Sequence, residues 1–182
     1  MNAPKIVVLV GSTSDLPFAH RVQDFLREAN FSVECEFKVD SAHRNVEKLL
    51  NDLKIYERSE AKIVYITIAG LSDALSGIVA GYARSPVIAC PPDLEKHGLP
   101  KAFSTMMTPK GIAVTMVSQP ENAAFAAVKI LALSDASLKK RVSEYTDKMR
   151  DAVVEADKEL SVKEEPERRF QRVDHTKRLK HE

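Results

Sequence analysis

The sequence predicts a doubly wound α/β fold, a parallel sheet with helices on both faces followed by a long C-terminal helix. Three observations lead there. Residues 6–10, Ile-Val-Val-Leu-Val, form an unbroken and largely β-branched run, the kind buried on both faces of a parallel sheet. Apolar runs recur at 63–68, 87–89 and 112–117 with helix-length stretches between them, which is the alternation of βαβ units. From Ser137 the character changes, and residues 138–160 carry Val142, Tyr145, Met149, Val153 and Ala156 at helical spacing.

The elements follow in order. Residues 15–29 read as a helix with Val22, Phe25, Leu26 and Ala29 as its apolar stripe. Residues 31–39 alternate apolar and polar and read as the second strand, with a helix over 45–55 after it. The third strand, 63–68, leads to a helix at 72–82, and the fourth, 87–89, to a helical stretch near 99–107. After the fifth strand, Pro120 opens a helix over 121–133, at a position where Pro is tolerated. The expected division is 1–135 for the α/β catalytic domain and 136–182 for the C-terminal helix and tail, the latter part of the same domain and of an oligomer interface. Residues 163–182 are almost all charged, with mixed signs that fit a solvated tail; Phe170 and Val173 would be the anchors if it were an arm on a neighbouring subunit.

In such sheets ligands bind outside the carboxyl ends of the strands. Three loops fall at that edge. Gly11-Ser12-Thr13-Ser14-Asp15 follows the first strand. Gly11 permits a tight turn and a close backbone approach, Ser12 and Ser14 can donate, and a helix N-terminus favours an anion. Capping of the helix by Ser14 or Asp15 explains the same residues without a ligand. Asp40-Ser41-Ala42-His43-Arg44 follows the second strand. His43 is the one histidine set in such a junction, whereas His20, His97, His175 and His181 fall in helical, loop or tail contexts. Its neighbour Arg44 suits bidentate phosphate binding. Ala69-Gly70-Leu71-Ser72-Asp73-Ala74-Leu75-Ser76-Gly77 follows the third strand. Together the loops suit a small phosphorylated ligand and proton transfer.

Composition narrows the partners. At 182 residues, 44% hydrophobic and 29% charged, the chain can bury a sizeable core. A net charge of +1 gives no field for nucleic acid or membrane, and aromatic content of 6% without Trp argues against base stacking. There is no signal or transit segment and no apolar run long enough to span a bilayer, so the cytoplasm is the expected location. Cys35 and Cys90 make neither a disulfide framework nor a zinc site, and no cluster has metal-ligand spacing. No metal and no cofactor is expected.

With these residues placed, the chain resembles the carboxylases of purine biosynthesis that act on 5-aminoimidazole ribonucleotide. The resemblance spans residues 5–133 and rests on three ordered motifs: GSTSD at 11–15, SAHR at 41–44 and the AG…LxG loop at 69–77. It implies a flavodoxin-like fold and a homo-octamer. One branch of the family is a mutase that moves a carboxylate from the amine nitrogen to ring carbon 4. The other is a carboxylase that uses free carbon dioxide. The mutase loop normally reads AGGAAHLPG; here Ala74 and Ser76 stand where its His and Pro would be. That departure, with Cys90-Pro91-Pro92, favours the carboxylase branch, and the mutase is the alternative. By resemblance Ser12, Ser14 and Arg44 bind the phosphate and Asp15 the ribose hydroxyls, with Gly11 counted among the substrate-binding residues. Ser41 and Ala42 line the aminoimidazole pocket, His43 is the general acid/base, and Gly70, Leu71, Ser72 and Asp73 receive the carboxylate or carbon dioxide.

The chemistry expected is direct. The enamine-like carbon 4 attacks carbon dioxide, leaving a tetrahedral ring carbon that still carries a proton, and removal of that proton restores aromaticity. Imidazole suits the task because its ordinary pKa, about 6.5, lies near the working pH. Backbone N–H groups of the third loop would hold the new carboxylate. Two other classes fit the same loops: a non-catalytic nucleotide-binding module, which would not need His43, and a flavin protein, which would want aromatics that this chain lacks.

Overall fold

The computed structural model describes residues 3–171, with side chains through Ser161. Five strands form one sheet in the order β2-β1-β3-β4-β5: β1 (Lys5–Val10), β2 (Glu34–Val39), β3 (Ile63–Ile68), β4 (Val87–Ala89) and β5 (Thr115–Met116). Every pairing is parallel, with Val7 opposite Glu36 on one side and Tyr65 on the other. This is the flavodoxin-like strand order, in which the chain leaves β1 for one edge and returns on its other side as β3. The helices are α1 (Leu16–Glu28), α2 (Val46–Tyr56), α3 (Ala74–Tyr82), α4 (Leu94–His97), α5 (Leu99–Met106), α6 (Pro120–Ala132) and α7 (Ala136–Gln171).

The continuous apolar runs do what their composition requires. β3 is buried along its whole length, and β1 from Ile6 onward. Val7, Leu9 and Tyr65 pack with Leu49 and Leu53 of α2 and Leu75 and Val79 of α3. Strand alternation turns Ile6, Val8 and Val10 to the other face, where α1 packs against α6. The two-sided cover leaves the carboxyl ends of the strands as the open edge.

Local chemistry moved several boundaries. The expected second strand begins at residue 31, but after α1 Asn30 turns to a left-handed conformation (φ 55°), and the Phe31 N–H returns to the Leu26 carbonyl at 2.8 Å. That C-terminal closure keeps residues 31–33 out of the sheet. The expected fifth strand, 112–117, shrinks because Ile112 is spent in a turn: its N–H bonds Pro109 and its carbonyl accepts from the Thr108 hydroxyl, with Gly111 at φ 94°. α3 starts at Ala74, not at residue 72, because the Asp73 side chain caps it through the Ser76 N–H at 3.1 Å. α4 had no counterpart in the sequence reading.

The described residues fall into two compact units, the first running to Val142 and the second starting at Ser143. Leu138, at the start of α7, is buried in the first unit. In the second unit, α7 leaves Met149, Val153, Val154 and Leu160 exposed. The side chain of Phe170, and Val173 altogether, lie outside the described residues.

Candidate active site

The first three βα loops meet at one cavity of about 420 Å³, a size suited to a small-molecule ligand. It is lined by Gly11, Ser12, Ser14 and Asp15 of the first loop, Ser41, Ala42, His43 and Arg44 of the second, and Ala69, Gly70, Leu71 and Ser72 of the third, with Leu75 and Asp93. The cavity sits where the strand order reverses, between the ends of β1 and β3. The Gly11 N–H donates to the Ile68 carbonyl at 2.8 Å and ties those two strand ends together. A side chain on Gly11 would press on the Ala69 Cβ at 3.3 Å, so the absence of one lets the first and third loops touch.

The first loop is a short turn of 3₁₀ helix, Thr13–Asp15, feeding α1. The Ser14 hydroxyl donates to Ser12 Oγ at 2.9 Å, and the Asp15 N–H to the Ser12 carbonyl at 3.1 Å. Asp15 makes no side-chain cap to α1, so its carboxylate is not consumed by the helix that follows it. This argues against capping as a sufficient account of the loop.

The second loop is a turn closed by Ser41. Its hydroxyl accepts from the Arg44 N–H at 3.2 Å and its carbonyl from the Asn45 N–H at 3.0 Å. Asn45 caps α2 through the Lys48 N–H. His43 and Arg44 are left exposed at the rim. Behind the turn, Asp40 is fully buried and pairs with the Lys48 ammonium, which also reaches Asp52 at 2.8 Å. Those two carboxylates raise the Lys48 pKa above its ordinary value.

The third loop is built differently. Leu71 has φ 55°, a costly conformation for a branched residue. Its N–H donates to Asp93 Oδ2 at 2.7 Å, and its carbonyl accepts from the Lys101 ammonium at 2.6 Å. Lys101 is buried and also holds the Ala69 carbonyl at 2.6 Å. Asp73 alone among the expected site residues does not line the cavity. It is 5% exposed; one carboxylate oxygen caps α3, and the other accepts from the hydroxyls of Ser76 and Thr105 at 2.7 and 2.8 Å. The expected direct contact from Asp73 therefore gives way to a supporting role, because a carboxylate this buried has to be bonded inside the protein. Ser76 is fully buried and also contacts Thr67 at 2.7 Å.

Ala69, Leu75 and Asp93 are additional to the residues read from the sequence. Asp93 had a usable signal, since it follows Cys90-Pro91-Pro92 at the carboxyl end of β4, the same edge that located the other loops. Neither thiol is set up for nucleophilic chemistry. Burial pushes Cys90 up to about 12 and Cys35 up to about 11. No group of three or more His, Cys, Asp or Glu among the described residues could hold a metal ion, and no helix among them is long and apolar enough to cross a membrane.

The sequence and the fold have counterparts among known proteins. The AIR carboxylase family model matches residues 5–152. A phosphoribosylaminoimidazole carboxylase of Archaeoglobus fulgidus is 38% identical over 86% of this chain and 84% of its own length. An N5-carboxyaminoimidazole ribonucleotide mutase of Methanocaldococcus jannaschii is 40% identical over 85% of this chain and 96% of its own. The crystal structure of Treponema denticola PurE superposes with a TM-score of 0.81 at 34% identity, covering 86% of this chain and 98% of that one. With the family model matching most of the chain and these relatives sharing its sequence and fold, the chain belongs to the AIR carboxylase family of enzymes, whose members carry the names carboxylase and mutase.

Proposed function

We propose that this protein carboxylates 5-aminoimidazole ribonucleotide with free carbon dioxide, giving the 4-carboxy product in purine biosynthesis. The observation that carries the reading is the convergence of Ser12, Ser14, Asp15, His43, Arg44 and the Gly70–Leu71–Ser72 backbone on one cavity. Arg44 and the serines take the phosphate and Asp15 the ribose hydroxyls. This anchoring at a distance from the reacting carbon orients a co-substrate pair of which carbon dioxide offers little to grip. Carbon 4 attacks carbon dioxide and a carbon–carbon bond forms. The ring proton then passes to His43, the electron pair of the broken C–H bond returns to the ring, and aromaticity is restored. The third loop receives the carboxylate.

The choice of branch rests on the third loop. The mutase pattern places His and Pro at the positions of Ala74 and Ser76. A Pro at 76 would have no N–H for the Asp73 carboxylate and no hydroxyl for Asp73 and Thr67. The serine is thus integrated with its neighbours, and no second imidazole stands in the loop. One imidazole, His43, suffices for the single deprotonation of a direct carboxylation. Following product from each substrate, with carbon dioxide scavenged in the N-carboxy assay, tests this. Product from aminoimidazole ribonucleotide and bicarbonate is expected; efficient conversion of only the N-carboxy compound would assign the mutase instead.

The same reading places the enzyme in the cytoplasm and in a homo-octamer. Exposed apolar side chains on α5 (Leu99, Phe103, Met106) and on α7 (Met149, Val153, Leu160) support assembly. A monomeric mass in light scattering at micromolar concentration would defeat it.

A further inference from the structure

We propose that Lys101 is a positioning residue that turns two backbone N–H groups, those of Gly70 and Ser72, toward the carboxylate formed in the reaction. Lys101 does not line the cavity; it lies behind the loop with its side chain 1% exposed. Its ammonium holds two carbonyls from one short stretch, those of Ala69 and Leu71, at 2.6 Å each. A trans peptide carries its N–H on the side opposite its C=O, and the described chain has no cis bond. Drawing the Ala69 and Leu71 carbonyls back onto Lys101 therefore faces the next N–H groups, on Gly70 and Ser72, the other way. Both residues line the cavity, and neither N–H has an acceptor among the described residues. The intervening N–H, on Leu71, is taken out of play by Asp93, whose other oxygen is 3.8 Å from the Lys101 ammonium. Leu71 is thus held from both sides in a conformation it would not keep alone.

The pattern makes a small anion cradle, with two free donors separated by one donor that is occupied. The charge behind the loop also polarises the two peptides and strengthens their N–H groups as donors. On the carboxylation reading, the group that the cradle suits is the carboxylate, which the substrate gains only in the reaction. Lys101 therefore acts on the state in which carboxylate charge develops, which is where stabilisation raises the rate.

The inference rests on the carboxylation reading, and the test separates the two. In a His43→Asn background, which suppresses turnover, calorimetry gives the affinity for aminoimidazole ribonucleotide and for its 4-carboxy product, with and without Lys101→Met. The product should bind at least about tenfold more weakly in the Lys101 variant while the uncarboxylated ligand stays within about threefold. In the His43 enzyme, Lys101→Met should lower kcat and leave the substrate KM within the same narrow range. Equal loss for both ligands, or loss for neither, overturns the positioning role. Failure of the background protein to bind either ligand overturns the functional reading instead. Selective nitrogen labelling of glycine needs no Lys101 variant: the Gly70 amide should shift with product and not with the uncarboxylated ligand. Equal response to both would again refute the cradle. Lys101→Gln, a neutral donor, should keep part of the product preference, and complete loss would show that hydrogen bonding to the carbonyls is not what Lys101 contributes.

Discussion

The second and third loops of the cavity solve the same problem in opposite ways. The second presents side chains: His43 and Arg44 stand exposed at the rim, and their backbone is fixed within the loop by Ser41 and Asn45. The third presents backbone: its carboxylate, Asp73, is turned inward, and its shape is imposed by residues some 20 to 30 positions away, Asp93, Lys101, Ser104 and Thr105. A loop that acts through side chains tolerates local construction. A loop that acts through peptide groups needs every peptide oriented, and the orienting atoms come from elsewhere in the chain, here from α5 and from Asp93 ahead of α4. Mutations should therefore separate the two loops, with chemical defects from the second and structural ones from the third.

The largest effect is expected at His43. Replacement by Asn should lower turnover by about 10²–10⁴-fold, the usual contribution of a positioned acid or base, with substrate affinity kept within about tenfold. Turnover near wild type would remove His43 from proton transfer. Next is Ser76→Pro, which should destabilise the fold by about 3 kcal/mol in urea unfolding, since buried groups on Asp73 and Thr67 lose their partners. A stable variant would mean that the third loop repacks freely and the contrast is overdrawn. Arg44→Ala should weaken substrate binding by about 1.5–3 kcal/mol with no change in melting temperature, since the side chain is exposed and its turn is closed through the backbone. A loss of stability there would blur the distinction from the other side.

The smallest effect lies on the amino-terminal side of the sheet, away from both loops. The Tyr56 hydroxyl donates to Glu36 at 2.7 Å and, with Lys5, holds that carboxyl below its ordinary range against the opposing pull of burial. A lowered folded-state pKa means stability present above the unfolded value and lost as pH falls through the folded one. Tyr56→Phe should therefore cost about 1 kcal/mol at neutral pH, and the gap should narrow below about pH 4. A gap that does not change with acid would mean the hydroxyl acts through packing alone.

The same contrast explains what could be read from the chain. Gly11, Ser12, Ser14, Asp15, Ser41, Ala42, His43 and Arg44 are legible as cavity-lining residues because each lies in a loop directly after a recognisable strand. Strand runs buried on both faces, such as 63–68, matched to the residue. The place of Asp73 behind the cavity is not legible, because an acidic residue in a loop reads the same whether it faces a ligand or caps the next helix. Lys101 was invisible for a different reason. On a short amphipathic helix a lysine reads as solvent-facing, and only the neighbouring carbonyls of Ala69 and Leu71 show why its charge is taken inside. The two-residue β5 and the left-handed Asn30 depended on turn closures that no periodicity reports.

The contact between Gly11 and Ala69 has a consequence for how this cavity changes over evolutionary time. The two loops share a wall only one missing methyl thick, so a side chain added on the first loop presses on the third. A change in either loop is felt by the other. A new specificity at this edge would have to arrive as matched changes on β1 and β3, which makes the pair one heritable unit although nearly sixty residues separate them.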